Sequence, residues 1–536
     1  MNEDKDETRC QPLVNRRRFL NSAAAITGAV GSAAFIGGFG VPAAQAQAGG
    51  YHPEGQSVAE LARALDIGAV TSVDLVRAYR ARIAAYDQRG PKLNAMITLN
   101  DRAETTAMEL DAERRSGNVR GPLHGIPIIV KDNFDTADLP TSAGSVLLAQ
   151  SVPPQDSTIV AQLRSAGAIV LGKSNMSEWA IFISTDSSRK GQTRNPHNPA
   201  HNPGGSSGGT GAAIAADFGA VGLGTDTSGS IRIPSAHNSL FGLRPTKGLT
   251  SIGGIVPLAV SQDTAGPIGR TVSDLAIVLD VIAGHNDPRD PSTSAGVGKR
   301  PVTYQGALSD GALRGARIGV ARSMFKGVST PHGDVGVLEV MESVLHRLQA
   351  SGAVLIDVPE LDETEALAAD VVLYESCEDI DGYLKGLPIR PVAGIDAVLK
   401  SNTSVAYAQT RLLAARATMG RRNILYSTAI AQRKKLADRI TGLMNRYDVA
   451  AILHPTVQVQ PPKIPHERVD AAITADIAPC AGLPALSVPG GMSPDGLPVG
   501  FDLLGRAYDE STLLNLAYSF ERHHNPRVAP KCTPPL

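Results

Sequence analysis

The chain has 536 residues, with 51 Lys and Arg against 52 Asp and Glu, a formal net charge of −1. It is 42% hydrophobic, 19% charged and 4% aromatic, enough apolar content for a large packed core and too much for a disordered tail protein. Near-neutral charge and scarce aromatics also exclude a dedicated nucleic-acid binder, which needs a basic excess and base-stacking rings.

The first residues read as a targeting segment rather than as part of a fold. Asn15-Arg16-Arg17-Arg18-Phe19-Leu20 resembles the twin-arginine export signal, without its usual leading Ser and trailing Lys. An uncharged stretch rich in Ala and Gly follows from Ala23 to about Pro42, too weakly hydrophobic to favour a stable membrane anchor. Ala44-Gln45-Ala46 and Ala46-Gln47-Ala48 both offer the small-x-small pattern that signal peptidase accepts. Residues 1–48 are therefore expected to be a removable signal peptide. The twin-arginine machinery would deliver the folded remainder, 49–536, to a bacterial periplasm or beyond. That remainder keeps 46 basic and 48 acidic groups. Its three cysteines, Cys377, Cys480 and Cys532, are too few and too far apart for a disulfide framework or a zinc cluster, and leave room for one disulfide that the sequence does not pair.

Helical spacing of apolar residues marks 57–65 and 71–86, with Thr71 or Ser72 as N-cap and Asp74 in the first turn. Short apolar runs at 126–130, 168–171, 220–223, 317–321, 353–358, 449–453 and 485–488 predict strands buried on both faces. Helical patterns at 157–165, 273–282 and 337–348 lie between them, and 405–444 reads as largely helical. This alternation predicts an α/β protein with a central, largely parallel sheet. Residues 285–314, rich in Asp, Pro, Ser and Gly, predict a long surface connection inside one domain.

Two glycine-rich stretches stand out, Gly204 to Gly209 and Gly222 to Ser230. Neither is followed by the Gly-Lys-Ser/Thr of a phosphate loop, and neither fits a dinucleotide fingerprint, so no nucleotide cofactor is expected. Gly204-x-Ser206-x-Gly208 matches a nucleophile elbow, but the preceding Asn195-Pro196-His197-Asn198-Pro199 is a proline-broken loop where that motif needs a strand. Ser187-x-x-Lys190 matches a serine–lysine motif without its usual companions. Lys131, closing the apolar run Gly125-Ile126-Pro127-Ile128-Ile129-Val130, reads by itself as a solvated strand-end lysine.

Taken together, Lys131, the serine-glycine loop and Gly229-Ser230-Ile231-Arg232 resemble the amidase signature family. The separations of 75 residues from Lys131 to Ser206 and 24 from Ser206 to Ser230 agree with that family. Further motifs occur in family order: Gly172-Lys173-Ser174-Asn175-Met176-Ser177-Glu178, Gly191-Gln192-Thr193-Arg194-Asn195-Pro196, Gln262-Asp263-Thr264-Ala265-Gly266-Pro267, Ala481-Gly482-Leu483-Pro484-Ala485 and Gly496-Leu497-Pro498-Val499-Gly500. The resemblance implies one large α/β domain over 49–536, a central mixed, twisted sheet covered by helices on both faces. It implies a Ser-cisSer-Lys triad that hydrolyses amides without metal or cofactor, with Lys131 as base, Ser206 as bridging cis-serine and Ser230 as nucleophile. Backbone N–H groups of Thr227, Ser228, Gly229 and Ser230 would hold the oxyanion. Ser177-Glu178-Trp179 and 191–196 most resemble the peptide-amidase-like branch, which implies a small or peptide amide substrate, such as a C-terminal peptide amide.

The chemistry explains why such residues are needed. A serine hydroxyl is a weak nucleophile, so its proton must leave as it attacks. Lysine can take that proton only when neutral, which requires burial to lower its pKa from about 10.4. A serine between the two can relay the proton and return it to the departing amine. Ser207 is expected to hydrogen-bond the relay serine and Asp226 to brace the loop, though both fit a purely structural role. Arg232 reads either as a buried ion-pair partner or as an anchor for a substrate carboxylate. Trp179 and Phe182 either line the pocket or pack a helix. An ester or lactam hydrolase using the same serine, and a catalytically silent amide-binding protein, remain as rivals.

Overall fold

A computed structural model describes residues 51–326, 332–362, 364–465 and 473–536. The signal-peptide and export reading of residues 1–48 lies outside the described residues. The first helices begin where the caps predict. Ser57 and Thr71 each accept a hydrogen bond from the backbone three residues on, and Glu60 and Asp74 reach back to close capping boxes. Helices Val58–Asp66 and Ser72–Tyr86 follow.

Eleven strands form one sheet: β1 (Met96–Leu99), β2 (Pro127–Lys131), β3 (Ile169–Ser174), β4 (Val221–Asp226), β5 (Phe241–Arg244), β6 (Thr264–Gly269), β7 (Arg317–Val320), β8 (Val354–Asp357), β9 (Ala451–Pro455), β10 (Ala485–Met492) and β11 (Pro498–Leu504). Their spatial order is β1-β3-β2-β4-β6-β5-β10-β11-β9-β7-β8. Every residue of β2, β3, β4, β6, β9 and β11 is buried. Helices therefore cover both faces of the sheet centre.

The sheet is mixed, which corrects the expectation of a largely parallel one drawn from periodicity. Four of its ten pairings are parallel and six antiparallel. All six antiparallel pairings involve β1, β5, β6 or β11, the four strands whose sequences lack a continuous apolar run. Gly or Pro interrupts β5, β6 and β11, in β6 for a packing reason. At Gly266 in β6, an added Cβ would sit 2.2 Å from the Leu243 carbonyl oxygen of β5.

The parallel trio β3-β2-β4 places three strand C-termini at one edge of the sheet, where α/β proteins build their sites. Lys131 ends β2 opposite Ser174, which ends β3. Asp226 ends β4 and leads directly into residues 227–230. Residues 283–316 run over the surface as short 3₁₀ turns between helix Val272–Ile282 and β7. Cys377 and Cys480 are buried free thiols. Among the described residues, no helix is long and apolar enough to cross a membrane.

Candidate active site

Lys131 is fully buried, not solvated, and its ammonium position is fixed by two hydroxyls. Nζ lies 2.8 Å from Ser206 Oγ and 2.8 Å from Thr225 Oγ1. Burial drives this amine down to about 7, against an opposing pull from Asp263 and Asp226. At that value neutral and charged lysine coexist near neutral pH. The short contact to Ser206 can then carry a proton either way.

Ser206 sits in a loop that neighbouring segments hold from several sides. The Gly205–Ser206 peptide is cis. Ser177 N–H donates to the Ser206 carbonyl at 3.1 Å. The Thr185 hydroxyl donates to the Gly204 carbonyl at 2.7 Å and accepts from Gly208 N–H at 3.0 Å. Helix Gly208–Ala215 starts immediately afterwards. It presses so closely on the chain after β3 that a Cβ at Gly209 would lie 2.1 Å from the Asn175 carbonyl oxygen. The glycines thus allow backbone to approach backbone, which sets the serine loop beside β2 and β4.

Ser230 is brought next to this loop through the backbone, since Ser207 N–H donates to the Ser230 carbonyl at 3.2 Å. Its side chain is nearly buried, and its hydroxyl has no protein hydrogen-bond partner among the described residues. Ser207 does not bond the relay serine as expected. Its hydroxyl donates to the Thr225 carbonyl at 3.2 Å and accepts from Thr225 N–H at 3.3 Å, tying the serine loop to β4. Among the four expected oxyanion donors, Gly229 is already engaged, because its N–H donates to Asp226 Oδ1 at 2.9 Å. Thr227, Ser228 and Ser230 keep backbone N–H groups without a protein acceptor among the described residues.

Asp226 holds the turn from below. It accepts from Gly229 N–H and, at 3.2 Å, from Ile231 N–H, while Arg232 Nε approaches Oδ2 at 3.1 Å and Arg244 Nη1 approaches Oδ1 at 3.1 Å. Burial alone would raise this carboxyl, but Arg232 and Arg244 outweigh it and hold it at about 2. Arg232 is itself fully buried, paired with Asp226 and Asp502 and donating to the Ala475 carbonyl. It is an ion-pair partner, with no donor facing a substrate. Trp179 is buried in an apolar cluster with Met176, Ile380 and Leu384, and the Phe182 ring packs 5.2 Å from that of Tyr407. His237, the histidine nearest Ser230 in sequence, is buried with Nε2 3.3 Å from the Val459 carbonyl, and burial lowers it to about 4.

Three contributors were not visible in the sequence. Thr225 bonds Lys131 directly, and Asn133 Nδ2 donates to the same Thr225 hydroxyl at 3.1 Å and to the Val256 carbonyl at 3.3 Å. Asp263 accepts from the Thr227 hydroxyl and from Leu258 and Ala259 N–H, fixing the far end of the turn. Each lies within or beside a motif already singled out. Only the folded packing reveals what each one touches. Among the described residues, no group of three or more His, Cys, Asp or Glu is arranged to hold a metal ion.

The Amidase family model matches residues 74–514. Among solved structures, the chain is similar to the native peptide amidase from Stenotrophomonas maltophilia, with 37% identity and a TM-score of 0.81 over 90% of this chain and 99% of that one. It is also similar to an amidase family protein from Bacillus anthracis, with 33% identity and a TM-score of 0.80 over 89% of this chain and 92% of the other. Among curated proteins, it is 36% identical over 484 residues to a glutamyl-tRNA(Gln) amidotransferase subunit of Deinococcus radiodurans, covering 87% of this chain and 97% of the relative.

Proposed function

The chain belongs to the amidase family and is an enzyme acting on carbon–nitrogen bonds; on that premise, we propose that it hydrolyses carboxamides through an acyl-Ser230 intermediate. The observation that carries this reading is the buried contact of 2.8 Å between Lys131 Nζ and Ser206 Oγ beside the unengaged Ser230 hydroxyl.

Ser230 Oγ attacks the amide carbon and passes its proton to Ser206, which passes one to neutral Lys131. The tetrahedral oxyanion is met by backbone N–H groups of Thr227, Ser228 and Ser230. Each such donor contributes about 3 kcal/mol of transition-state stabilisation. Lys131 returns its proton through Ser206 to the leaving nitrogen, so ammonia or an amine departs instead of an amide anion. Water, deprotonated along the same route, then attacks the ester carbonyl. The carboxylate leaves and Ser230 regains its proton.

The likeness to peptide amidase supports a small primary amide or a C-terminal peptide amide as substrate. The basic triplet Arg16-Arg17-Arg18 and the two small-x-small sites support export by the twin-arginine route to the periplasm. The amidotransferase relatives favour a second reading, an amide-transferring chain that needs partners. Ammonia release by the purified chain alone, across peptide, aryl and short aliphatic amides, tests the first reading. Steady turnover without a partner supports it, and none on any amide removes it. Hydrolysis of matched esters alone makes the chain an esterase.

A further inference from the structure

Beside the oxyanion turn, two carboxylates stand close enough for one to act on the other, and no ion pair reaches either among the described residues. Helix Ile473–Ala481 abuts the turn so closely that a Cβ on Gly229 would lie 2.5 Å from Ala475 Cβ, and the Ala475 carbonyl accepts from Arg232. The next residue, Asp476, therefore stands next to Ser228, and its carboxylate faces that side chain. Asp476 Oδ1 is buried without a hydrogen-bond partner. Asp370 follows helix Thr364–Leu367, which packs against helix Ile473–Ala481, and its charge acts on Asp476. Its Oδ1 accepts from Val372 N–H at 3.0 Å.

Ser228, Asp370 and Asp476 each keep some solvent contact, whereas Thr227, Gly229, Ser230, Ala475 and Ile477 are buried. Nearby cations do not neutralise the acids. Arg232 is consumed by Asp226 and Asp502, and Arg433 donates to Gln262 Oε1 and to the Ser261 and Pro479 carbonyls. Arg411 and Arg433 draw the Asp370 carboxyl down, but burial outweighs them and it stays raised. Burial first and then Asp370 raise the Asp476 carboxyl well above its ordinary range, and burial raises that of Asp370, so a ligand cation placed between them would favour the charged forms that burial opposes.

We propose that Asp476, with Asp370, holds a positive charge on the acyl part of the substrate, so that the enzyme prefers amides carrying a cationic amine close to the scissile carbonyl. This rests on the reading of Ser230 as nucleophile, since only that reading puts the scissile carbonyl at residues 227–230. An unblocked α-amino amide fits the class, because its ammonium lies two bonds from the carbonyl carbon. The leucinamide ammonium, its N-acetyl derivative and the deamino isostere 4-methylpentanamide separate charge from shape.

Ammonia release by the full chain at pH 7 reads the preference. Wild type should show kcat/KM for leucinamide at least tenfold above both neutral amides. Asp476→Asn should cut that ratio to about threefold or less, mainly through KM, and Asp476→Glu should keep part of it. Asp370→Asn should lower the ratio in the same direction, which keeps the test open if Asp476→Asn folds poorly. A wild-type ratio near one, or a ratio that both asparagine variants leave intact, would overturn the proposal while the amidase reading stands. Absence of ammonia from all three amides, with release from peptide or aryl amides, would overturn the proposal alone.

Discussion

Lys131 and Ser206 are joined by a 2.8 Å hydrogen bond between Nζ and Oγ, with both side chains fully buried. Thr225 fixes the lysine from the other side, and Asn133 in turn fixes Thr225. A lysine held in this way has lost its water without gaining a carboxylate partner. That loss is what makes it a base near neutral pH.

The first consequence is a pH–rate profile. Only neutral Lys131 can accept the relayed proton, and burial places its pKa at about 7. The kcat/KM for a non-titrating amide should therefore rise about tenfold per pH unit below 7 and level off above it. A profile flat from pH 5 to 9 would rule Lys131 out as the base.

A second consequence concerns stability. The unfolded lysine titrates near 10.4 and the folded one near 7, so between those values the unfolded state binds more protons. Stability from this group therefore rises with pH across that window and is lowest below pH 7. Lys131→Met removes the dependence, so its stability gain over wild type should be larger at pH 7 than at pH 9.5 by about 2–3 kcal/mol. Urea unfolding at the two pH values reads it, and an equal gain at both would contradict the assignment.

The Asp226 brace makes the opposite sign of prediction. Its folded pKa of about 2 lies below the usual carboxyl value, so its contribution is complete above pH 4 and lost as pH falls through 2. Asp226→Asn leaves Arg232 and Arg244 without their shared acid, a loss on the order of 3–5 kcal/mol. Thermal unfolding of that variant at pH 7 should show a clearly lowered Tm, together with lost amide hydrolysis. An unchanged Tm would mean that the buried arginines draw their stabilisation from Asp502 and backbone carbonyls instead.

Gly229 offers a steric test of the turn. Its φ is +92°, and a Cβ there would lie 2.5 Å from Ala475 Cβ. Gly229→Ala should cost about 1–3 kcal/mol of stability through overpacking. A displacement of the neighbouring donors by about 1 Å should lower kcat roughly a hundredfold. Wild-type kcat in this variant would show that the turn tolerates movement and is no rigid oxyanion cradle.

Much of the site could be read from residue order, and the reason is local. Lys131, Ser206 and Ser230 each sit in a glycine-bearing or strand-end motif whose chemistry is written in a few adjacent residues. The partners that tune them are not adjacent. Thr225 meets Lys131 only because β4 lies parallel to β2, and Asp476 reaches Ser228 from 248 positions along the chain. The same limit shaped the fold. The apolar runs of β2, β3, β4, β7, β8 and β9 each make a parallel pairing, whereas the run 485–488 in β10 pairs antiparallel on both sides. Phe241-Gly242-Leu243-Arg244 and Thr264-Ala265-Gly266-Pro267-Ile268-Gly269 hide theirs behind small residues demanded by close packing. Ser207 shows the converse case: a residue type suited to bond the relay serine was used to tie the loop to β4.

The central claim is a covalent one, and mass spectrometry of a trapped intermediate tests it most directly. Acid-quenching the enzyme during turnover of an activated amide, followed by proteolysis, should yield an acylated peptide containing Ser230. The adduct should be absent in Ser230→Ala and should form far more slowly in Lys131→Ala. Sustained ammonia release by Ser230→Ala, or an acyl group carried by Ser206 instead, would contradict the account.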